Sequence, residues 1–466
     1  MIVHDEQISR PDGLKRVLGP IDTTCVVIGS IIGVGIFFSP SQVAAIAGSA
    51  NLALLAWAVG GGIALLGALT FAELGGLYPR TGGQYIILRD AYGPLPGFLY
   101  VFCNATAVQA GAIAVIGVIC ARNLGVAIGH PLDNPTLASL IAALLIIGLV
   151  TSNILGVKWG SRIQNITVFA KIITLLTVTV LAMTFDGSPE PVIEAPEPNE
   201  SPRGMALLGI IFAAIVPAFF AFGGWQQALW IGGEVRNPRR NVPFGIITGV
   251  LVVVILYLLA NWAYLTLLGH AGVVQSKALA ADAVSAAWPA GGGRVIAGAV
   301  AISAFGVLNA QFLAGPRLIY GLACDGRFFR IFRKVDKKHG TPLAAIILLG
   351  AMALVLLFAA GENVIGKLTI GVVFIDGVFF ALTGAALIVL RMKRPNMEHS
   401  VRMPLFPLVP GLFVLGEIGI LTAALMHSDL RAIAINSVLW IAVAGVLYVV
   451  FFRKKEGGET KLKVES

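Results

Sequence analysis

Gly29-Ser30-Ile31-Ile32-Gly33-Val34-Gly35-Ile36-Phe37 sits inside the first long apolar segment of the chain, and Phe219-Phe220-Ala221-Phe222-Gly223-Gly224-Trp225 sits inside the sixth. Glycines at these positions predict that both membrane segments are interrupted. Backbone that leaves the helix at membrane depth is tolerated only where it is buried in protein or lines a cavity, because lipid cannot satisfy free N–H and C=O groups. Interrupted segments at matching places in two halves of a chain point to a secondary-transporter binding site. Gly29 and Gly33 also form a small-xxx-small pattern that packs helices, and the aromatics around Ala221 also suit a packing face.

The rest of the chain supplies the membrane. Its 466 residues are 57% hydrophobic and 12% charged, with a mean hydropathy of +0.88. This composition excludes a soluble domain. Apolar stretches long enough to span a bilayer recur at roughly 17–47, 51–78, 95–127, 135–152, 163–184, 205–232, 244–268, 294–320, 342–360, 364–390, 404–427 and 431–452. The expected fold is therefore all-α and polytopic, with about twelve transmembrane helices. An even number puts both termini on one side. Most of the 33 Lys and Arg residues fall before the first segment, in alternate loops and in the tail, so that side is cytoplasmic. Arg122, Arg203, Lys277, Arg294, Lys367 and Arg431 fall on the other side, and Lys171 and Arg317 lie within segments. The formal charge of +9 thus reads as topology and not as nucleic-acid binding. The polar residues 1–16, followed by an apolar run without a cleavage pattern, predict an uncleaved first segment.

The segments divide as five, five and two. Residues 1–16 form a cytoplasmic N-terminus, and 17–184 a first repeat. Residues 185–204 form a Pro- and Glu-rich external loop, and 205–391 a second repeat. The last two segments occupy 392–452, and 453–466 form a cytoplasmic tail. Because five is odd, the second repeat enters the membrane from the opposite side, which makes the repeat inverted. The short stretch Tyr85 to Leu88 cannot span and is expected at the interface or partly re-entrant. Cys25, Cys103, Cys120 and Cys324 lie in or beside apolar segments, so no disulfide framework is expected.

The candidate site is mostly backbone. If the first helix unwinds near Ile31 to Gly35, the half-helix that follows begins with free N–H groups and a positive dipole end, a seat for a carboxylate. The half-helix before it ends with free carbonyls suited to an ammonium. Gly33, Val34 and Gly35 with Phe220, Ala221 and Gly223 would then hold an α-amino acid zwitterion, with Phe220 and Phe222 covering it. Several charged groups lie within the segments. Lys171 in the fifth is either a lysine snorkelling to the headgroups or a buried ammonium standing where a sodium ion would sit. Asp376, near the middle of the tenth, is either a proton carrier or an acid that bonds neighbouring helices. Glu417 in the eleventh falls outside the ten-segment core and reads as structural, and Glu73 as an anchor for a loop. The six histidines are scattered, and neither a metal-ligand cluster, a phosphate-binding loop nor a nucleophile triad can be argued. No cofactor and no enzymatic activity are expected.

These residues carry a resemblance that covers about residues 15–405. The stretches 29–37 and 219–225, with Phe71-Ala72-Glu73-Leu74-Gly75, Tyr78-Pro79-Arg80-Thr81-Gly82-Gly83, the run from Glu234 to Pro243, Arg317, Asp325-Gly326 and Thr341-Pro342, occur in this order. In them the chain resembles the amino acid–polyamine–organocation superfamily, and within it the L-type amino acid transporter branch and its bacterial alanine–serine–cysteine exchanger relatives. The resemblance implies a leucine-transporter-like fold working by alternating access. It implies carboxylate binding at the amides of Val34 and Gly35, and ammonium binding at the carbonyls of Ile31, Phe220, Ala221 and Gly223. It makes Phe220 an aromatic gate and Lys171 the substitute for a sodium site. The chain departs from it twice. Residues 128–136 lack the cysteine that ties animal members to a heavy chain, so no disulfide-linked partner is expected. Asp376 stands where the family pattern leads to an amide.

Taken together, the sequence predicts a sodium-independent transporter of neutral amino acids in the plasma membrane, working by exchange. Proton symport is the second reading, and an amino-acid sensor or channel-like protein with the same fold is the third. The identity of the amino acid is not written in groups that are mainly backbone.

Overall fold

The fold follows from long apolar runs closed at their ends by turn-forming residues. The computed structural model of the protein describes residues 18–78, 83–155, 160–185, 203–230, 232, 235–336, 341–394 and 401–453, with side chains from 171 onward in the third of these stretches and its fourth. The N-terminal residues, the loop at 79–82, most of the expected external loop at 185–204 and most of the tail lie outside these.

Sixteen α-helices are described. The first segment gives α1 (Pro20–Ile31) and α2 (Ser39–Ala47), with a short 3-10 turn at Gly35–Phe37 between them. They are followed by α3 (Ala50–Leu77), α4 (Gly83–Tyr92), α5 (Pro94–Cys103), α6 (Gln109–Ala127), α7 (Pro135–Ile154) and α8 (Gly160–Met183). The second part holds α9 (Met205–Phe222), α10 (Pro238–Gln275), α11 (Leu279–Ala287), α12 (Gly292–Cys324), α13 (Leu343–Ala359), α14 (Val364–Lys393), α15 (Leu408–Met426) and α16 (Ser428–Phe451). Local chemistry sets many of these bounds. Ser49 caps α3 by accepting from the Leu52 N–H, and Asn134 caps α7 by accepting from Thr136 and Leu137, each answering donors that a helix start leaves free. Proline occupies the first turn of α1, α5, α7 and α10, where its missing N–H costs nothing.

Among the described residues, nine helices are long and apolar enough to cross a membrane, and three further apolar helices are shorter. The chain is an all-helical, multi-pass membrane protein. The shorter helices include α1, cut off by the break at Ile31, and α13, so single long helices undercount the twelve segments expected from hydropathy.

Two elements differ from the expectation of plain spans. The third segment is not one regular helix: a π turn at Asn104–Val108 joins α5 to α6, and such turns occur often at functional sites. The short stretch after the second segment is not an interface strap. In α4, Gln84 and Leu88 are fully buried. Gln84 Nε2 donates to Thr383 Oγ1 at 3.0 Å and the Tyr92 hydroxyl donates to the Leu382 carbonyl at 2.9 Å, so α4 is tied to the C-terminal half of α14. Nearby, Arg391 of α14 donates from Nε and Nη2 to both oxygens of the fully buried Glu73, at 2.7 and 2.6 Å, and Glu73 also accepts from the Met403 N–H at 2.9 Å. Glu73 therefore anchors the loop before α15, the role read for it from sequence.

Candidate functional site

Both interruptions are present, and they meet. Helix α1 stops at Ile31 and helix α9 at Phe222, each followed by backbone that is not α-helical. The two chains touch so closely that a Cβ placed on Gly35 would lie 2.6 Å from Ala221 Cα, below any real contact. Gly224 has φ +125°, a left-handed value that favours glycine, and a Cβ there would collide with the Ser30 carbonyl. These glycines are needed for backbone approach.

A cavity opens at this crossing. It is lined by Ile31, Gly33, Val34, Gly35, Phe220 and Gly223 from the broken segments, by Asn104 and Gln109 from the π turn and α6, and by Asp376 from α14. The hydrogen bonds around it separate free backbone groups from committed ones. Among the described residues the N–H groups of Val34 and Gly35 make no hydrogen bond, and neither do the carbonyls of Phe220 and Gly223. The Ile31 carbonyl, in contrast, accepts from the Gly33 N–H at 2.6 Å and lies 3.1 Å from the Tyr257 hydroxyl. The Ile31 carbonyl is thus already engaged by the Gly33 N–H, and it shares with Ala221 a hydroxyl that can donate to only one of them at a time. The Ala221 carbonyl also faces the Tyr257 hydroxyl, at 3.2 Å, and Ala221 does not line the cavity. What remains free at the cavity is the amides of Val34 and Gly35 and the carbonyls of Phe220 and Gly223.

The side chains sort less evenly. Phe220 faces the cavity, meets the Phe38 ring edge-on at 5.4 Å, and touches all three large hydrophobic clusters of the molecule. Phe222 does not cover a ligand: its ring is buried against Trp57 at 5.3 Å and Tyr257 at 5.4 Å. The helix period explains this, because positions two apart project from widely separated directions. Lys171 does not line the cavity. It is 2% exposed in α8 and pairs with no acidic group among the described residues. That burial removes the snorkelling alternative, which requires an ammonium in contact with water or headgroups. Asp376 lines the cavity and is half-buried.

Sequence reasoning passed over the residues that shape this backbone. Tyr257, fully buried in α10, is placed to bond both interrupted segments. Gln226 turns back so that its Oε1 accepts from the Gly224 N–H at 2.9 Å. Gln109 Nε2 donates to Asn104 Oδ1 at 2.8 Å across the π turn. A polar residue inside an apolar span was the available signal for each, but their partners are distant in sequence. No group of His, Cys, Asp and Glu able to hold a metal occurs among the described residues.

A multi-pass helical protein whose central cavity is walled by interrupted helices has the build of a membrane solute transporter. The chain belongs to the amino acid permease family, whose model matches residues 18–452. It is 29% identical to the b(0,+)-type amino acid transporter 1 of Mus musculus, over 95% of this chain and 89% of that protein. It is 28% identical to the serine/threonine exchanger SteT of Bacillus subtilis, over 95% and 98%, and 29% identical to the large neutral amino acids transporter small subunit 2 of Homo sapiens, over 86% and 74%. The family and these relatives are transporters, not enzymes.

Proposed function

We propose that the chain is a sodium-independent amino acid transporter that exchanges neutral amino acids across the plasma membrane by alternating access. The observation that carries this reading is the set of free backbone groups at the crossing. Val34 and Gly35 offer N–H donors, and Phe220 and Gly223 offer carbonyl acceptors. A carboxylate and an ammonium on one carbon fit them without any charged side chain. Phe220, set between three packed clusters, is the gate in this reading. Lys171, buried beside α12 and α10, takes the place of a sodium ion. The two halves are read as an inverted five-plus-five repeat within twelve spans, with both termini cytoplasmic. The protein acts without a disulfide-linked heavy chain.

A second reading, proton symport, is favoured by one observation: Asp376 faces the cavity from the middle of α14. A sensor or channel-like role finds no comparable support.

The test is a panel of radiolabelled amino acids with purified protein in liposomes, loaded or not with internal amino acid, with and without sodium and a pH gradient. Exchange predicts uptake that requires internal amino acid and is unchanged when choline replaces sodium. Failure of every amino acid to move, with the protein shown to be folded, would overturn the reading.

A further inference from the structure

Glu417 of α15 is 0% exposed, and neither of its carboxyl oxygens makes a hydrogen bond. Nothing said so far accounts for it. The residue of α14 that faces it is Gly377, where an added Cβ would stand 3.2 Å from Glu417 Oε2. Gly377 also lines the cavity. Only the backbone of a glycine therefore separates the Glu417 carboxyl from the cavity. The preceding residue, Asp376, also lines the cavity.

We propose that Asp376 and Glu417 form a two-carboxyl proton site that takes up and returns one proton in each transport cycle. The proposal rests on the second reading above, proton symport, and deepens it; uptake only in exchange for internal amino acid is the rival outcome.

The surroundings of the pair are otherwise nearly free of charge. Helix α15 packs on α3, α9, α14 and α16. On α3 the one acid, Glu73, holds Arg391 and the Met403 N–H. Helix α9 carries no charged residue. At the ends of α14, Lys367 donates to the Ala360 carbonyl and Lys393 to the Ala91 carbonyl. At the start of α16, Asp429 accepts from Ser428 and Arg431 caps the Leu425 and Met426 carbonyls. Tyr448 lies near the other end of α16. Tyr100 of α5 is also buried. No lysine or arginine is paired with either carboxyl among the described residues.

One carboxyl next to Gly377 in sequence and one facing it across the helix contact, with no paired cation, disfavour being charged together. The pair therefore holds one proton when the cavity is open to neutral water, and two when a proton arrives. The incoming proton bonds an Asp376 oxygen. A hydronium ion in the cavity loses an O–H bond as the Asp376 O–H bond forms, and the same proton passes back to water when the cavity reopens to the opposite side. The pair alternates between a single negative charge and none.

Proteoliposomes enclosing the pH dye pyranine test this, using radiolabelled serine, alanine or arginine, whichever exchanges fastest. Wild type is expected to acidify the lumen as substrate enters, and to accumulate substrate on the order of tenfold under an inward proton gradient of one pH unit. Glu417→Gln keeps the shape and the hydrogen-bonding capacity but cannot titrate. It should abolish both effects while amino acid exchange stays within about threefold. Gly377→Ala leaves both acids in place but sets a methyl group against Glu417, and it should slow proton-driven uptake, which keeps the test decisive if Glu417→Gln misfolds. Substrate flux in wild type without any lumen acidification overturns the proton site and leaves the amino acid reading intact. Full acidification in Glu417→Gln also overturns it. Absence of any amino acid flux overturns the transport reading, and the proton site with it.

Discussion

The Tyr257 hydroxyl lies 3.1 Å from the Ile31 carbonyl oxygen and 3.2 Å from that of Ala221. One phenol thus reaches the last helical carbonyl before the first interruption and a carbonyl in the last turn of α9, before the second. It has a single proton to give, so it donates to one carbonyl or the other at a time. Its ring packs edge-on against Trp57 at 5.9 Å, which fixes the hydroxyl in place. The spacing of α1 and α9 around the cavity is set partly by this side chain.

Tyr257→Phe keeps that ring packing and removes the bridge. A buried hydrogen bond is worth about 1 kcal/mol net, and a stranded buried acceptor costs more. We expect substrate affinity to fall on the order of tenfold, with far smaller change in thermal unfolding temperature. Equal affinity in the two proteins, measured by scintillation proximity binding, would show that the bridge does not shape the site.

Gly35→Ala and Gly33→Ala form an informative pair. The new Cβ would lie 2.6 Å from Ala221 Cα at position 35, but 3.8 Å from its nearest neighbour, the Ile31 carbonyl oxygen, at position 33. The first forces two backbones apart; the second meets ordinary van der Waals contact. Transport should be lost in Gly35→Ala and largely kept in Gly33→Ala. The reverse order would contradict the packing of the two interruptions.

Lys171 predicts the ion dependence. An ammonium and a sodium ion at one place repel each other, so uptake should be the same in sodium and in choline at fixed pH. Lys171→Ala empties a buried volume and removes a charge, and transport should fall by about tenfold or more. A sodium-driven rate in wild type would show that Lys171 does not fill a cation site.

Glu73 and Arg391 predict stability. Glu73 is fully buried, and the Arg391 side chain is 17% exposed and also stacked over Phe406. Breaking a buried pair by removing one partner costs about 3–5 kcal/mol. Arg391→Gln should lower the unfolding temperature in detergent by several degrees and loosen the loop before α15, seen as faster proteolysis there. Arg391→Gln with unchanged unfolding and unchanged proteolysis would mean that this pair does not hold the loop.

How much of this was legible beforehand depends on the kind of residue. The apolar runs announced the helices, because a segment in lipid must satisfy its own backbone and its composition records that demand. The two interruptions were legible as well: glycine clusters inside such runs have few other uses. The π turn at Asn104–Val108 was not, since the residues there read as an ordinary apolar span with polar members.

The sequence by itself determined an all-helical membrane protein, the places where two of its helices break, and the presence of Lys171, Asp376 and Glu417 at depth. Only the tertiary structure decided which backbone groups at the breaks stay free. Ile31 and Ala221 look as suitable as Phe220 and Gly223 until Tyr257, more than thirty residues from the nearer of them, faces their carbonyls. The same holds for direction: Phe220 and Phe222 are alike as letters, yet one borders the cavity and the other packs on Trp57. Glu417 reads as structural from sequence, and only the fold sets it opposite Gly377, a residue that lines the cavity. Composition and spacing record what a segment needs from lipid. Hydrogen-bond capacity is spent across the fold, and where it is spent depends on which distant helices come to lie side by side.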